Sequence, residues 1–389
     1  MTQIPDLIYY LVIMLSAFAL LISLSNLKFL DSLGASLPDI NTGLDGDFVS
    51  VLVPARNEQN AIAYCLNALS AQTYPNMEIL ILDDRSLDNT AAIIESYVDL
   101  DPRIRMIQGS ALPEGWSGKN WACEQLFQES MGDLVLFIDA DTILSYNTIS
   151  TSVYESNKTR ADLLTVMPKR IANCITERLM FPFMDWFLFS WMPMIAAKNK
   201  RGSYLSASFG QFMLFRREAY ATIGGHASLK NNPLDDFSLG RITKKIGLRW
   251  RLYEGTSCVE VMSYNGNIQA INGISRSIFP ALNFSVTTLI LLSAVLLSLA
   301  LLPVINLTSG LIDHAINPNF MALSLYSLIM LTTSWAIACF KFKHNYLIAL
   351  IHPISMTVIL IVGYHSMITY IFRMTQWKDR AVPRQRIRF

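Results

Sequence analysis

The sequence has 389 residues, of which 52% are hydrophobic and only 16% charged, and its mean hydropathy is +0.34. This composition is too apolar for one ordinary water-soluble domain, and the net charge of +1 excludes the basic excess typical of nucleic-acid-binding proteins. Its five cysteines show no Cys-x-x-Cys spacing, so they predict neither a disulfide framework nor a zinc site. We therefore expect a membrane protein with an embedded water-soluble domain and no nucleic-acid partner.

Apolar runs at both ends of the chain are long enough to cross a bilayer, which takes about 20 residues. The run at 8–24 lacks the basic start of a signal peptide, so residues 1–30 are predicted to be a retained transmembrane helix. Three further runs predict C-terminal transmembrane helices within 277–375, namely 282–302, 320–340 and 346–372.

Basic residues flank the last of these runs, at 341–344 and in the tail 376–389. Positive charge marks the cytoplasmic side of a membrane, which predicts that both segments are cytoplasmic. A single crossing would put them on opposite sides. Either the run is a re-entrant pair or the tail breaks the rule, and the sequence leaves both open.

Residues 45–276 are predicted to form an α/β domain with a mainly parallel sheet, after a linker at 30–46. Apolar runs of strand length alternate with helical patterns of about 10 to 15 residues, which is typical of βαβ units. The predicted strands begin near Phe48, Met77, Ile104, Leu134, Asp162, Gly210 and Arg249. The aromatic segment 175–197 is broken by two prolines and Asp185, so it is predicted to lie in the membrane interface.

A buried-type strand at 134–138 ends in the motif Asp139-x-Asp141. Ligands of parallel sheets collect at the carboxyl ends of the strands. A hard divalent cation prefers carboxylate oxygens and completes its shell with water and phosphates. Taken alone, such a motif is more often a solvated loop, so the metal site is a hypothesis that depends on the other motifs.

Four more polar motifs follow strand ends or open helices. Residues 54–58 follow the first strand, the pair Asp83-Asp84 ends the second, and Gly118-Lys119 opens a helix whose N-terminus suits an anion. The pair Asp235-Asp236 opens a later helix, where aspartates are also ordinary first-turn residues. Each motif alone has a plain structural explanation, and their order along the chain carries the interpretation.

This ordered series resembles the family-2 glycosyltransferases with the GT-A fold, over about residues 48–276. The resemblance implies a UDP- or GDP-linked sugar donor and a divalent cation, Mn or Mg, held by Asp139 and Asp141. It implies Asp236 as the general base of an inverting transfer, with Asp235 beside it. The donor-binding residues that it implies are Arg56, Glu58, Asp83, Asp84, Lys119 and Asp139.

The acceptor is indicated less directly. Polymer-forming members of the family carry Gln-x-x-Arg-Trp, of which only Arg276 matches, so long-chain polysaccharide export is not expected. The block 115–122 and the terminal Trp377-Lys-x-Arg380 are similar to membrane glycosyltransferases associated with bacterial carotenoid and hopanoid pathways. The leading expectation is hexosyl transfer to a membrane lipid hydroxyl, isoprenoid lipids included, by a catalytic domain at the cytoplasmic face of a bacterial-type inner membrane.

Two alternatives remain from the sequence. One is a role in polysaccharide or polyprenyl-phosphate-sugar synthesis, and the other is a catalytically inert membrane scaffold. The oligomeric state is left open.

Overall fold

The computed structural model describes residues 3–34, 46–199, 202–312 and 318–389, so most of the predicted linker at 30–46 lies outside the described residues. The first helix, α1 (Gln3–Phe29), is continuous. The chain directly after it hydrogen-bonds to the domain, because the Leu33 amide donates to the Glu254 carbonyl over 2.8 Å. The predicted N-terminal membrane helix therefore ends against the sheet.

In the described part of the chain, eight strands form one mixed sheet in the order β3-β2-β1-β4-β7-β6-β8-β5. The strands β1 to β4 are parallel where they pair, as are β6 and β8, whereas β7 and β5 are antiparallel to their neighbours. The strands are β1 (Val49–Ala55), β2 (Met77–Asp83), β3 (Ile104–Gln108), β4 (Leu134–Phe137), β5 (Thr142–Leu144), β6 (Leu163–Arg170), β7 (Met213–Arg216) and β8 (Trp250–Val261). The predicted α/β fold with a mainly parallel sheet is confirmed, and β5 is a strand that the sequence analysis missed.

Helices cover the sheet, and longer apolar helices follow it in the chain. In chain order they are α2 (Ile62–Ser70), α3 (Thr90–Val98), α4 (Gly118–Glu129), α5 (Thr148–Thr159), α6 (Ile175–Trp191), α7 (Met194–Asn199), α8 (Arg217–Thr222), the 3-10 helix η1 (His226–Leu229), α9 (Asp235–Lys245), α10 (Asn267–Ala281), α11 (Val286–Ile312), α12 (Pro318–Lys341), α13 (Leu347–Leu350) and α14 (His352–Ile371). The predicted domain boundary at 276 falls inside α10. The division into domains stays a prediction.

The two faces of the sheet bury different apolar sets, because successive strand residues point to opposite sides. In β1, Val51 and Val53 join one core with α2 and α3, whereas Leu52 joins the core on the other face. That second core also contains Leu126 of α4 and runs on into α1, α6, α11, α12 and α14. The domain and its membrane helices thus share one apolar core.

Four helices within the described residues are long and apolar enough to cross a membrane, namely α1, α11, α12 and α14. The predicted run at 346–372 is interrupted near Ile351, between α13 and α14. Before α14, the His344 Nε2 lies 2.7 Å from Asp185 Oδ2. At its end, the Tyr370 hydroxyl donates to the Arg276 carbonyl of α10 over 2.8 Å. The chain before α13 therefore contacts α6, and the end of α14 contacts α10.

The aromatic segment predicted for the membrane interface forms α6 and α7, and Pro182 lies inside α6. Its large rings are mostly buried within the protein. Trp186 is fully buried and stacks on Trp335 of α12 with ring centroids 4.8 Å apart. The aromatic composition is explained by packing against neighbouring helices, and placement in the interface stays a prediction.

Candidate active site

A cavity of about 520 Å³ opens at the edge of the sheet where β1 and β4 end. Because β7 is antiparallel to β4, with Met213 opposite Phe137, the chain entering β7 arrives at the same edge. The cavity brings together polar side chains from distant parts of the sequence, including Glu58, Lys119, Asp139, Asp141, Asp235, Asp236, Arg276, Lys378 and Arg380.

Lys119 lies between the two predicted acidic motifs. It stands in the first turn of α4, where the Ser117 hydroxyl caps the helix by accepting the Asn120 amide. Its Nζ is 2.8 Å from Asp139 Oδ1 and 3.7 Å from Asp235 Oδ2. Burial opposes the charge, but these two carboxylates keep the pKa of Lys119 well above its usual value. A permanent ammonium therefore joins the Asp-x-Asp motif to the pair that opens α9.

The two aspartates of that pair have different surroundings. Asp235 is buried, and its Oδ2 lies 3.3 Å from Nε2 of the buried His226, whose Nδ1 contacts the Tyr220 hydroxyl at 2.5 Å. Burial alone would raise the pKa of Asp235, but Lys119 and His226 outweigh it and hold this pKa below its usual range. Asp235 is thus a fixed anion that is already engaged by its neighbours.

Asp236 lines the cavity and is held mainly by the backbone. Its Oδ2 accepts the Gly210 amide over 3.1 Å and its Oδ1 accepts the Phe237 amide over 2.7 Å. Burial, together with the negative charge of Asp235, raises the pKa of Asp236 to about 7. A carboxylate with a pKa near the operating pH is well suited to accept and release a proton.

The Asp-x-Asp motif is suited to a metal ion. Asp139 Oδ2 accepts the Gln211 side-chain amide over 3.3 Å, whereas Oδ1 of Asp141 is buried with no hydrogen-bond partner among the described residues. Burial, together with Asp139 and Glu58, raises the pKa of Asp141 to about 7. A buried, unpartnered carboxylate oxygen is costly unless a cation or a donor satisfies it.

No three His, Cys, Asp or Glu side chains of the described residues form a ready-made metal cage. A Mg²⁺ or Mn²⁺ ion needs only one or two carboxylates, because water and phosphate oxygens complete its shell.

The predicted donor-binding residues occupy two different positions. Glu58, Lys119 and Asp139 line the cavity. Arg56, Asp83 and Asp84 are buried just beyond its described lining: Arg56 donates to the carbonyls of Asp84 and Arg85 over 2.6 and 2.9 Å, and Asp83 accepts the Ser86 amide over 3.3 Å. In this structure they order the loops after β1 and β2, and direct donor contact by these three residues stays a prediction.

Several residues of the site were not predicted from the sequence. Gly210 and Gln211 arrive through the antiparallel β7, and His226 reaches Asp235 from η1. Lys378 and Arg380 come from the C-terminal tail. The sequence signal for Lys378 and Arg380 is the terminal Trp377-Lys-x-Arg380 block, which by itself does not indicate a place in the site.

The structure thus brings carboxylates and a lysine together at the strand ends of a mixed sheet, beside helices that are long and apolar enough to cross a membrane. Residues 50–224 match the family described as Glycosyl transferase family 2. This match supports a family-2 glycosyltransferase, the family that the motifs predict.

Two known proteins illustrate the similarity. The 4,4'-diaponeurosporenoate glycosyltransferase of Staphylococcus aureus is 27% identical over 233 residues, which cover 57% of this chain and 58% of that protein. The chain thus spans less than two thirds of the length of this curated relative. The mannosyltransferase PcManGT from Pyrobaculum calidifontis, solved with GDP-Man and Mn2+, matches with a TM-score of 0.51 and 14% identity over 92% of this chain and 99% of that one. This likeness confirms the fold.

Proposed function

We propose that the protein is an inverting, metal-dependent glycosyltransferase that moves one sugar from a nucleotide donor to the hydroxyl of a membrane lipid at the cytoplasmic face. One observation carries the proposal. A single cavity contains the Asp-x-Asp motif and Asp236, Lys119 contacts both Asp139 and Asp235 within it, and α10 and α14 supply part of its wall.

The donor half of the cavity is suited to a nucleoside diphosphate. The mannosyltransferase from Pyrobaculum calidifontis, which has a similar fold, was solved with GDP-Man and Mn2+. This supports a UDP- or GDP-linked donor for the present protein. Asp139 and Asp141 would hold a Mn or Mg ion, which when bound acts as a Lewis acid toward the leaving diphosphate. Lys119 adds a fixed positive charge that also stabilises the charge developing on that group.

The acceptor half contains one carboxylate in the right state for proton transfer. An acceptor hydroxyl is a weak nucleophile until its proton is removed, and Asp236 takes this proton as the oxygen attacks the anomeric carbon. The new carbon–oxygen bond forms as the bond to the diphosphate breaks, so a single displacement inverts the anomeric centre. One base is sufficient, unlike the two carboxyl groups that glycoside hydrolysis needs.

The membrane side of the cavity supports a lipid acceptor. Gly273 and Arg276 of α10 and Tyr370 of α14 line it, and both helices pack against each other beside α11. The Staphylococcus aureus relative is named for a carotenoid-derived acid, which supports an isoprenoid acceptor. We favour a hydroxyl over a carboxylate acceptor in this chain, because an ionised carboxylate has no proton for Asp236 to remove.

The contacts of the basic segments before α13 and after α14 support a cytoplasmic catalytic domain. Lys341 and Lys343, before α13, reach the domain, with Lys341 Nζ 3.8 Å from Glu254 Oε2 and Lys343 Nζ 3.5 Å from the Thr256 carbonyl. The basic tail after α14 also returns to the domain, through Arg380 and Asp84. Because both basic segments contact the domain, they lie on the same side of the membrane, as the positive-inside rule requires. This arrangement means that α14 does not cross the bilayer.

The proposal is tested by a donor screen with the full-length protein in native membranes. Labelled UDP- and GDP-sugars are supplied, and extracted lipids are analysed by mass spectrometry. We expect one lipid carrying a single added sugar, with formation lost in EDTA and restored by Mn2+. A labelled polymer or a polyprenyl-phosphate sugar would instead favour the second candidate, whose supporting observation is that Arg276 lines the cavity. Nucleotide binding without turnover of any donor would favour an inert scaffold.

A further inference from the structure

The C-terminal tail forms a small hairpin that brings Lys378 and Arg380 to the cavity. Its two strands, β9 (Gln376–Trp377) and β10 (Arg380–Ala381), pair antiparallel. The two residues between them, Lys378 and Asp379, both have positive φ angles, of 47° and 64°. This is the backbone of a tight two-residue hairpin turn, which Asp379 tolerates but which is costly for a residue such as Lys378.

The tip of this hairpin binds the loop after β1. Lys378 Nζ lies 2.8 Å from Glu58 Oε1 and donates to the Asn57 carbonyl over 2.9 Å. In return, Arg56 Nε donates to the Lys378 carbonyl over 3.1 Å, and the Asn57 side-chain amide donates to Asp379 over 3.3 Å. Four polar contacts thus join segments more than 300 residues apart in the sequence.

Arg380 binds the loop after β2. Its guanidinium makes a two-pronged contact with Asp84, at 2.5 Å to Oδ2 and 3.2 Å to Oδ1. Asp84 is 1% exposed, and burial raises the pKa of its carboxyl group, an effect that Arg380 and Arg56 oppose. Paired, charge-assisted hydrogen bonds of this geometry fix orientation as well as adding energy.

The tail also reaches the other half of the cavity. Beyond Arg380, Val382 and Pro383 line the wall, and the Gln385 side-chain amide donates to the Asn231 carbonyl over 2.7 Å. Asn231 precedes the loop that leads to Asp235 and Asp236. The tail therefore runs along the cavity from the loops after β1 and β2 to the loop that precedes Asp235 and Asp236.

We propose that the C-terminal tail is part of the donor site. Lys378 binds the nucleoside diphosphate, and Arg380 positions the loops after β1 and β2 through Asp84. The inference rests on the proposed function. A nucleoside diphosphate carries several negative charges, and Lys378 lines the cavity as Lys119 does. Glu58 holds the Lys378 ammonium at the cavity, and a phosphate oxygen can share it because an ammonium has three donors.

The experiment compares three variants of the full-length protein by nucleotide binding, using UDP and GDP in the presence of Mn2+. We expect Lys378→Met and Arg380→Gln to weaken binding of the preferred nucleotide about ten- to hundredfold, which is the effect of losing one charged hydrogen bond. Arg384→Gln is the matched control, because Arg384 is an exposed arginine of the same tail with no ion pair to another described residue. It should bind as the wild type does.

A purely structural clamp would lower the melting temperature and leave nucleotide affinity unchanged, and this result for Lys378→Met would overturn the inference. Positioning by Arg380 is checked by a double-mutant cycle: Asp84→Asn with Arg380→Gln should weaken nucleotide binding no more than Arg380→Gln alone. Additive losses would reject positioning through Asp84. If the wild type bound neither UDP nor GDP, the proposed function itself would fail, whereas equal binding by the wild type and both tail variants would reject only the role of the tail.

Discussion

The ammonium of Lys119 lies 2.8 Å from Asp139 Oδ1, which places the only lysine of α4 directly on the first carboxylate of the Asp-x-Asp motif. The same ammonium is 3.7 Å from Asp235. Lys119 therefore balances part of the negative charge on both sides of the cavity, and would also face the diphosphate of a donor.

Lys119→Met should reduce kcat/KM for the donor by about 10² to 10³, because an electrostatic contact to the leaving group contributes several kcal/mol to the transition state. Lys119→Arg keeps the charge and should retain more activity than the methionine variant. Initial rates at varied donor concentration give the comparison. Equal rates for the wild type and Lys119→Met would show that the lysine has no role in transfer.

Asp236→Asn should lower kcat by about 10² to 10⁴ while leaving UDP or GDP binding close to that of the wild type, because only the base is lost. The amide keeps the size of the side chain, and its oxygen can still accept the Gly210 or Phe237 amide. Single-turnover rates and nucleotide binding, measured on the same preparation, separate the two effects. Full turnover in this variant would remove Asp236 from the role of base.

The raised pKa of Asp236 predicts a pH-dependent rate. A base must be deprotonated to act, so kcat/KM should fall about tenfold per pH unit below pH 7 and level off above it. Asp235 raises the pKa of Asp236 and Lys119 lowers it. In Asp235→Asn, kcat/KM should therefore begin to fall at a lower pH than in the wild type. The profile is measured from pH 5 to 9 in saturating Mn2+. A flat profile would favour an acceptor that needs no deprotonation.

Gly210→Ala should impair catalysis more than folding. A Cβ at this position would lie 2.9 Å from Lys119 Nζ, 3.5 Å from Asp139 Oδ2 and 3.7 Å from Asp236 Oδ2. The flexible lysine end can move away, but it then loses its place on Asp139. We expect a clear loss of kcat/KM with a melting temperature within a few degrees of the wild type. Gly115→Ala is not a suitable control, since Gly115 has a φ of +80°.

A stability prediction concerns the buried Asp185 of α6, which pairs with Arg170 of β6 and with His344 before α13. Asp185→Ala would leave the mostly buried Arg170 without its anion, at a cost of roughly 3 to 5 kcal/mol. Glu260→Gln is the matched control, since the half-exposed pair Lys169–Glu260 is worth about 0 to 1 kcal/mol. Thermal unfolding in detergent should therefore separate the two variants clearly, and equal melting temperatures would contradict the prediction.

The strand ends were predictable from the sequence because each apolar run stops at polar residues. Asp139 and Lys119 lie together for this reason, since β1 to β4 are parallel where they pair and the chain leaves β3, toward Lys119, and β4, toward Asp139, at one edge. Gly210 was not predictable as a contact of Asp236, because an apolar run does not reveal the direction of its strand, and β7 is antiparallel.

Contacts between residues far apart in the sequence were not predictable either. Nothing in the local pattern around Arg380 reveals that its partner is Asp84, 296 residues earlier. In the same way, the aromatic rings of α6 suggested a membrane interface, since composition cannot distinguish a ring that faces lipid from one that stacks on Trp335.

The core shared between the sheet and the membrane helices has a consequence for substrate choice. Leu52 of β1 and Trp335 of α12 belong to one continuous apolar cluster, so the described parts of the domain and of the apolar helices pack as one unit. We therefore expect the site to work at a fixed height above the lipid. An acceptor would be selected first by how far its reactive group can rise from the bilayer, and only then by its shape.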